Sequence, residues 1–107
     1  MPSCVVYLLA CDGGRTYTGI SANPQRRYQL HKAGKASMFT RLNPPTALLA
    51  EVWLEDRRSA AIVEHLLKRQ SQARRVAWFQ RMNPSTDRCP HSLSTALDLL
   101  SRCDSKN

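Results

Sequence analysis

Acidic residues are scarce in this sequence. Of its 107 residues only 8 are Asp or Glu, against 16 Lys and Arg, which gives a formal net charge of +8. No carboxylate occurs between Asp12 and Glu51, an interval with six Lys or Arg, and a second acid-free run, residues 66–81, holds five. Cations without acidic neighbours are free to neutralise phosphates. The pattern therefore favours nucleic acid as a partner over a basic surface that is merely solvated.

Long apolar runs and paired cysteines are also missing. No window approaches the roughly 18 apolar residues of a membrane span. The N-terminal run CVVYLLAC has no basic segment before it, so we expect a strand there rather than a signal peptide. The four cysteines form no CxxC pair and no zinc-type spacing. We therefore expect reduced thiols in a cytoplasmic protein that has no membrane partner.

Turn residues and apolar alternation predict a β-hairpin followed by a helix. Residues 4–10 and 15–20 have the composition of strands, and the DGG between them supplies a turn. Asn23 is a typical helix cap and Pro24 suits the first helical position. We expect this helix to continue until Gly34 ends it.

The second half of the chain predicts a third strand and three helices. After an irregular connector that ends in two prolines, residues 46–55 form the strand. Asp56 then caps one helix, Ser71 begins the next, and SLSTALDLLSRC forms the last. The fold class that follows is α/β of the α+β type. It is a small, mostly antiparallel three-stranded sheet flanked by helices in the order β-β-α-β-α-α, plus an extra C-terminal helix.

Five positions on these elements resemble the signature of the GIY-YIG nuclease family and of its short stand-alone members. They are Val5-Val6-Tyr7 on the first strand, Tyr17-Thr18-Gly19 on the second, Arg27 and His31 on the first helix, and Glu64 on the second. Val5 replaces the family's glycine and Thr18 its isoleucine, and neither position carries a reacting group. The resemblance covers about residues 4–80. It implies a nuclease domain over residues 1–80 and a helical extension of the same domain, with a loose tail, over 81–107.

The resemblance implies a metal-dependent endonuclease that hydrolyses phosphodiester bonds. The implied catalytic set is Tyr7, Tyr17, Arg27, His31 and Glu64. Tyr7 is then the candidate base with Tyr17 in support, and Glu64 is the ligand of Mg²⁺ or Mn²⁺. A role in DNA repair or recombination is expected.

The residue types themselves leave alternatives open for each position. Mg²⁺ prefers oxygen ligands and needs only one or two carboxylates. Glu64 is the only carboxylate in RRSAAIVEHLLKRQ, which favours one lightly held ion; the alternative is a surface ion pair with Lys68, worth about 0.3–0.5 kcal/mol. Arg27 and His31 share a helix face, and a guanidinium suits phosphate oxygens. The alternative for Arg27 is a solvated cation.

His31 and the tyrosines have structural alternatives too. His31 either orients hydrogen bonds and shuttles a proton near neutrality, or is a half-buried polar residue that ends the helix. Both tyrosines could simply pack, each with one hydroxyl hydrogen bond. A hairpin loop of odd length puts Tyr7 and Tyr17 on one face, whereas a two-residue loop puts them on opposite faces. Because the resemblance requires one face, we predict an odd loop that contains Asp12 and Gly13.

The remaining basic and aromatic residues are expected to line a nucleic-acid groove. The expected contacts are phosphate binding by Arg26, Lys32, Lys35, Arg41, Arg69, Arg74 and Arg75, and stacking on a base by Phe39. None of these side chains is expected to identify a base, so we expect DNA, or RNA, to be selected by shape or strandedness, with a protein partner for targeting. The alternatives are a non-catalytic nucleic-acid-binding module of the same fold, or a structural protein without affinity for polyanions.

Overall fold

A three-stranded antiparallel sheet flanked by helices forms the fold in the computed structural model, which describes residues 3–82 and 90–102. The strands are β1 (Cys4–Cys11), β2 (Arg15–Ser21) and β3 (Pro45–Leu54), with β1 in the centre. The helices are α1 (Pro24–Lys32), α2 (Met38–Leu42), α3 (Arg57–Lys68), α4 (Gln72–Met82) and α5 (Leu93–Arg102). The fold class predicted from the sequence is confirmed.

The hairpin between β1 and β2 has the odd loop that the tyrosines require. A three-residue 3-10 turn, Asp12–Gly14, joins the two strands, and both of its glycines have positive φ, 77° and 73°. This left-handed region favours glycine because a Cβ is unfavourable there. Leu9 pairs with Tyr17, two residues along β1 from Tyr7. The two tyrosines therefore share one face of the sheet as a diagonal pair, as predicted.

The connector between α1 and β3 is partly helical, so the prediction of an irregular segment is wrong over Met38–Leu42. Ser37 caps this short helix α2, because its side chain accepts a hydrogen bond from the Thr40 backbone N–H at 3.1 Å. A helix of five residues has too few turns for an apolar periodicity to reveal it. Side-chain contacts of α2 with β2 and with α1, which are described below, fix its position.

Each face of the sheet carries its own apolar cluster. The larger cluster joins β1 and β3 to α3, α4 and α5, and its buried members are Cys4, Val6, Leu8, Val52, Leu54, Ala60, Val63, Leu67, Trp78, Phe79, Met82, Ala96 and Leu100. The smaller cluster, on the other face, is Val5, Tyr7, Leu9 and Cys11, with Tyr17, Tyr28, Leu48 and Trp53 packed against them. Trp78 and Phe79 are core residues, as expected. Polar site residues are concentrated beside the smaller cluster.

The C-terminal helix packs on the same core as α3 and α4. The indole Nε1 of Trp78 donates to the carbonyl of Ala96 at 3.0 Å, and Leu100 is buried. Just before α5, the His91 backbone N–H donates to the carbonyl of Trp53 at 2.7 Å, which extends the hydrogen bonding at the end of β3. The tail predicted to be loose lies outside the described residues.

Cys4 and Cys11 are buried free thiols. Cys89 and Cys103 lie outside the described residues. Across the ranges 3–82 and 90–102, every helix is too short or too polar to cross a bilayer.

Candidate active site

Tyr7 lies across the bare backbone of Gly19, its partner on β2. A Cβ built at Gly19 would come within 2.6 Å of Tyr7 Cζ and would also collide with the phenol oxygen. Only glycine leaves this space free, so the last residue of the Tyr17-Thr18-Gly19 motif is explained by packing. The absent side chain lets the phenol lie flat against β2 and turn its oxygen toward α1.

The phenol of Tyr7 meets the imidazole of His31 there. Tyr7 Oη and His31 Nε2 are 2.7 Å apart, and the rings meet edge to face at a centroid distance of 5.8 Å. Both side chains are buried, at 2% and 1% exposure. The pKa of Tyr7 is raised to about 12: burial is the main cause and the charge of Tyr17 contributes, while the Arg27 guanidinium opposes the rise. Tyr7 is consequently a neutral phenol at physiological pH.

His31 is fully buried, whereas the structural alternative considered from the sequence was a half-buried residue that ends the helix. Its Nδ1 lies 2.7 Å from Thr40 Oγ1, so α1 and α2 are joined through this imidazole. The pKa of His31 is lowered to about 4, chiefly by burial and further by the nearby charges of Arg27 and Lys68, which are included in that value. The ring is therefore neutral at pH 7, which favours the hydrogen-bonding role over a shuttle that titrates near neutrality.

Tyr17 is packed between three side chains. Its ring lies 4.9 Å from the His31 ring and stacks on Phe39 at 5.7 Å, measured between centroids. The ammonium of Lys68 stands 5.1 Å from the Tyr17 ring centroid, a cation–π distance. These ring contacts correspond to the packing part of the structural alternative for Tyr17, and they bring α2 and α3 together at the β2 edge of the sheet.

Arg27 stands at the open side of the pair formed by Tyr7 and His31. It is exposed on α1, and its charge acts on the pKa of both residues. With Arg26 it borders a surface cavity of about 330 Å³ between the end of β2 and α1. The two arginines therefore present positive charge to solvent next to the buried phenol.

Glu64 enters the site from α3. Its carboxylate pairs with Lys68 Nζ at 3.2 Å, the ion pair that the sequence offered as the alternative to metal binding. The Glu64 side chain keeps 23% of its exposure, and its charge raises the pKa of Tyr7. The carboxylate is therefore close enough to interact with the phenol and still accessible from solvent.

The structure thus brings all five signature side chains to one region at the β2 edge. Hydrogen-bond and ring contacts join Tyr7, His31 and Tyr17. Arg27 and Glu64 lie close enough to the Tyr7 phenol for their charges to change its pKa. Two phenols, a guanidinium, an imidazole and a carboxylate at one place can bind a phosphate, hold a proton and carry a cation.

The donor set fits a hard cation that needs few protein ligands. Within residues 3–82 and 90–102, no three His, Cys, Asp or Glu side chains are grouped so that they could hold a metal ion. A single partly exposed carboxylate, Glu64, suits Mg²⁺ or Mn²⁺, which keep waters and take phosphate oxygens as further ligands. It does not suit zinc, which requires three or four protein ligands.

The expected nucleic-acid contacts from α1 and α2 surround this site. Lys35 and Arg41 line a surface cavity of about 430 Å³ at the α1–α2 junction. The ammonium of Lys32 lies 5.4 Å from the Tyr28 ring centroid. Phe39 is 37% exposed, with one face on Tyr17. Together with Arg26 these side chains form a positive surface that carries one partly exposed ring.

The contacts expected from α3 and α4 are less uniform. Arg69 is exposed where α3 ends. Arg74 and Arg75 are half-buried near the start of α4, and Arg75 Nη1 donates to the carbonyl of Gln70 at 2.6 Å. The guanidinium of Arg75 therefore stabilises the α3–α4 turn, which limits its availability to a phosphate.

Two residues of the site were not assigned to it from the sequence. Lys68 was considered only as a partner for Glu64, and its contact with Tyr17 depends on how α3 crosses β2. Thr40 had no role, because nothing in the sequence indicates that α2 brings its hydroxyl to His31. Ser37 is a residue type preferred at helix N-caps, and this is the signal that could have indicated the start of the short helix.

Comparison with known proteins identifies the family. Residues 3–77 match the family described as GIY-YIG catalytic domain. Since the match spans most of the chain, the protein belongs to the GIY-YIG family of nucleases, as the resemblance indicated.

Its relatives are UPF0213 proteins. One from Xanthomonas campestris pv. campestris (strain 8004) is 44% identical over 75 residues, 70% of this chain and 74% of the relative. One from Cupriavidus pinatubonensis is 36% identical over 77 residues, 72% of this chain and 86% of the relative. The solution NMR structure of a UPF0213 protein from Bacillus halodurans is 31% identical, covers 65% of this chain and 74% of the other, and has a TM-score of 0.42.

Proposed function

We propose that this protein is a metal-dependent endonuclease that hydrolyses phosphodiester bonds in DNA and selects its target by shape rather than by base sequence. The observation that supports this most directly is the contact of Tyr7 with His31 at 2.7 Å, with Arg27 and Glu64 beside it. A buried phenol in a hydrogen bond to a neutral imidazole, next to an exposed guanidinium, is suited to act on a proton at a bound phosphate.

In the proposed reaction the side chains have separate tasks. Arg27 binds the non-bridging phosphate oxygens and stabilises the charge that develops on them. The Tyr7 oxygen orients the attacking water and receives its proton as the phenol passes its own hydrogen to His31 Nε2. Tyr17 holds His31 in place through ring contact. A divalent cation at Glu64 supplies neutralisation of the phosphate and of the leaving oxygen when it is bound.

The finer attributes predicted from the sequence belong to the same proposal. They are Mg²⁺ rather than Mn²⁺ as the usual ion, DNA rather than RNA as the usual substrate, a role in repair or recombination, a cytoplasmic location, and a protein partner that supplies targets. Support for a nucleic-acid substrate comes from the net charge of +8 and from the basic cavity at Lys35 and Arg41.

Cleavage assays with branched, single-stranded and duplex DNA, each with and without Mg²⁺, test the proposal. We expect Arg27→Ala to slow cleavage by about 3–4 kcal/mol of barrier, on the order of a hundredfold or more, and Glu64→Ala to remove the metal-dependent activity. Arg102→Ala and Glu55→Gln, both exposed and remote from the site, are the matched controls. Undiminished cleavage by Arg27→Ala and Glu64→Ala would contradict the assignment.

Two observations favour a second candidate, a nucleic-acid-binding module without catalysis. The ion pair between Lys68 and Glu64 occupies the carboxylate, and Tyr7 has a pKa of about 12, far from that of a ready base. This candidate predicts salt-sensitive DNA binding and no cleavage with any divalent metal. The assay above therefore separates the two candidates.

A further inference from the structure

Thr40 is a buried polar side chain that the proposed reaction leaves without a task. It is 1% exposed, and its Oγ1 lies 2.7 Å from His31 Nδ1. The same oxygen lies 2.8 Å from Ser37 Oγ and 3.4 Å from the Ser37 carbonyl. A continuous chain of hydrogen bonds therefore runs from the Tyr7 phenol through the imidazole of His31 to the Ser37 cap of α2.

The two hydrogen bonds of the imidazole can point in only two consistent ways. A neutral imidazole donates from one ring nitrogen and accepts at the other, and each hydroxyl carries a single hydrogen. In one arrangement Tyr7 donates to Nε2, Nδ1 donates to Thr40, and Thr40 donates to Ser37. In the other arrangement both imidazole bonds are reversed, so that Thr40 donates to Nδ1 and Nε2 donates to Tyr7.

Acidity decides between the two arrangements. A phenol with a reference pKa near 10 is a stronger donor than an aliphatic hydroxyl, and its oxygen is a poorer acceptor, because the ring withdraws electron density. The unprotonated imidazole nitrogen is the most basic acceptor in the chain. The best match therefore joins the phenol hydrogen to Nε2 and the Nδ1 hydrogen to Thr40 Oγ1. Thr40 has the oxygens of Ser37 as acceptors for its own hydrogen.

We propose that Thr40 is the positioning residue that fixes the tautomer of His31, with the hydrogen on Nδ1, so that Nε2 accepts the hydroxyl hydrogen of Tyr7. This inference rests on the proposed function in one respect, namely that the lone pairs of Tyr7 Oη serve the attacking water. With its hydrogen held by His31, the phenol presents lone pairs and no donor to that water.

Loss of the Thr40 hydroxyl removes the acceptor of the Nδ1 hydrogen in a place that water does not reach. An unpaired buried N–H is costly, so the ring gains by moving its hydrogen to Nε2. The Tyr7 oxygen then accepts from His31, and the phenol hydrogen turns toward the substrate. The base would be blocked without any change in the fold.

Two-bond ¹H–¹⁵N correlation spectra of ¹⁵N-histidine-labelled protein at pH 7 measure the tautomer directly. His31→Gln identifies the His31 signals among those of the three histidines. We expect a protonated Nδ1 and an unprotonated Nε2 in the wild-type protein. The opposite tautomer in the wild type would overturn the proposal, and this measurement requires neither a nucleic acid nor a variant of Thr40.

Thr40→Val and Thr40→Ser then test the source of the tautomer. Valine keeps the shape without the hydroxyl, so we expect Nε2–H signals to appear and kcat to fall on the order of tenfold or more, with KM little changed. Thr40→Ser should preserve both the Nδ1–H tautomer and kcat. Thr95→Val, an exposed threonine on α5, is the matched control. An unchanged tautomer in folded Thr40→Val would overturn the proposal; if that variant does not fold, the wild-type tautomer decides.

The two proposals fail in different experiments. Absence of cleavage by the wild-type protein would contradict the nuclease function and leave the tautomer of His31 as measured. A wild-type protein that cleaves DNA with the hydrogen on Nε2 would contradict only the task assigned to Thr40.

Discussion

Tyr7 and His31 are both uncharged at neutral pH, and burial is the principal cause for each. Removing a phenolate from water raises the pKa of Tyr7, and removing an imidazolium from water lowers that of His31. Between about pH 4 and about pH 12 the pair therefore remains neutral. At the scale of single residues, this neutrality makes the direction of each hydrogen bond the property that controls the site.

The depressed pKa of His31 predicts how stability depends on pH. The unfolded chain binds a proton below about 6.5 and the folded protein only below about 4. Between these values the unfolded state holds more protons, so stability falls as pH falls, by up to about 3 kcal/mol. Urea unfolding at pH 7 and pH 4.5 measures the loss.

His31→Gln should reduce that loss, because glutamine does not titrate. The exposed histidine of α3 provides the control, and His65→Gln should keep the wild-type dependence. The same slope in wild type and His31→Gln would show that His31 titrates normally in the folded protein.

The contact of Tyr7 with Gly19 predicts an effect of a single added methyl group. In Gly19→Ala the new Cβ would fall within 2.6 Å of Tyr7 Cζ, so the phenol must move away from β2 and from His31. Overpacking of this kind costs about 1–3 kcal/mol. We expect that loss in denaturant unfolding, together with a shift of the His31 ring signals.

A double-mutant cycle separates this clash from a general effect on β2. In a Tyr7→Ala background the space beside Gly19 is open, so Gly19→Ala should then cost little. An equal cost in both backgrounds would mean that strand geometry, and not the phenol, excludes a side chain at this position.

At the scale of elements, each helix near the β2 edge brings one part of the site. α1 supplies Arg27 and His31, which four residues put on one face. α2 supplies Phe39 and Thr40, which contact Tyr17 and His31. α3 supplies Glu64 and Lys68 from the opposite side of the sheet. The start of each helix therefore determines where its functional side chains point.

The cap of α1 gives an element-scale prediction. Asn23 accepts a hydrogen bond from the Arg26 backbone N–H at 3.1 Å. Asn23→Ala should lower the free energy of unfolding by about 1 kcal/mol, because a helix N–H loses its partner. Asn23→Ser retains a capping oxygen and should cost much less. Chemical denaturation of the three proteins compares them, and equal losses in both variants would contradict the capping role.

At the scale of the whole molecule, the sheet separates two kinds of packing. The face toward α4 and α5 carries the large apolar cluster, whereas the other face carries a small cluster with the buried phenol and imidazole. The large cluster provides a rigid base. The site can then bury polar groups at the β2 edge of the sheet. The helix α3, which packs on the face of the large cluster, extends to this edge, and the site there remains accessible to a polyanion.

The charge distribution predicts the salt dependence of DNA binding. If Lys35 and Arg41 each neutralise a phosphate, Lys35→Ala with Arg41→Ala should reduce the slope of log K against log salt by about 2. Arg102→Ala is the control, since Arg102 pairs with Asp98 at 3.3 Å on α5. Binding titrations between low and physiological salt give the slopes. A slope unchanged by the double variant would place the phosphates elsewhere.

The parts of this protein that local rules control were predictable. Strand alternation and the caps Asn23, Asp56 and Ser71 predicted the element order apart from α2, and the shared face that the resemblance requires predicted the odd hairpin loop. The five signature positions came from the resemblance to the family; the one-turn spacing of Arg27 and His31 and the strand parity of the tyrosines were consistent with them. These features depend on contacts within a few residues or on the period of an element.

Tertiary structure alone decided the electrostatic state of the site. The sequence contained His31 and Thr40, but nothing local specified their contact, because α2 has no periodicity and its position depends on packing against Tyr17. The burial that shifts the pKa values of Tyr7 and His31 is likewise a property of the assembled sheet and helices. Residue type determines which protons can move, whereas solvent exclusion and the distance to a partner determine whether they do.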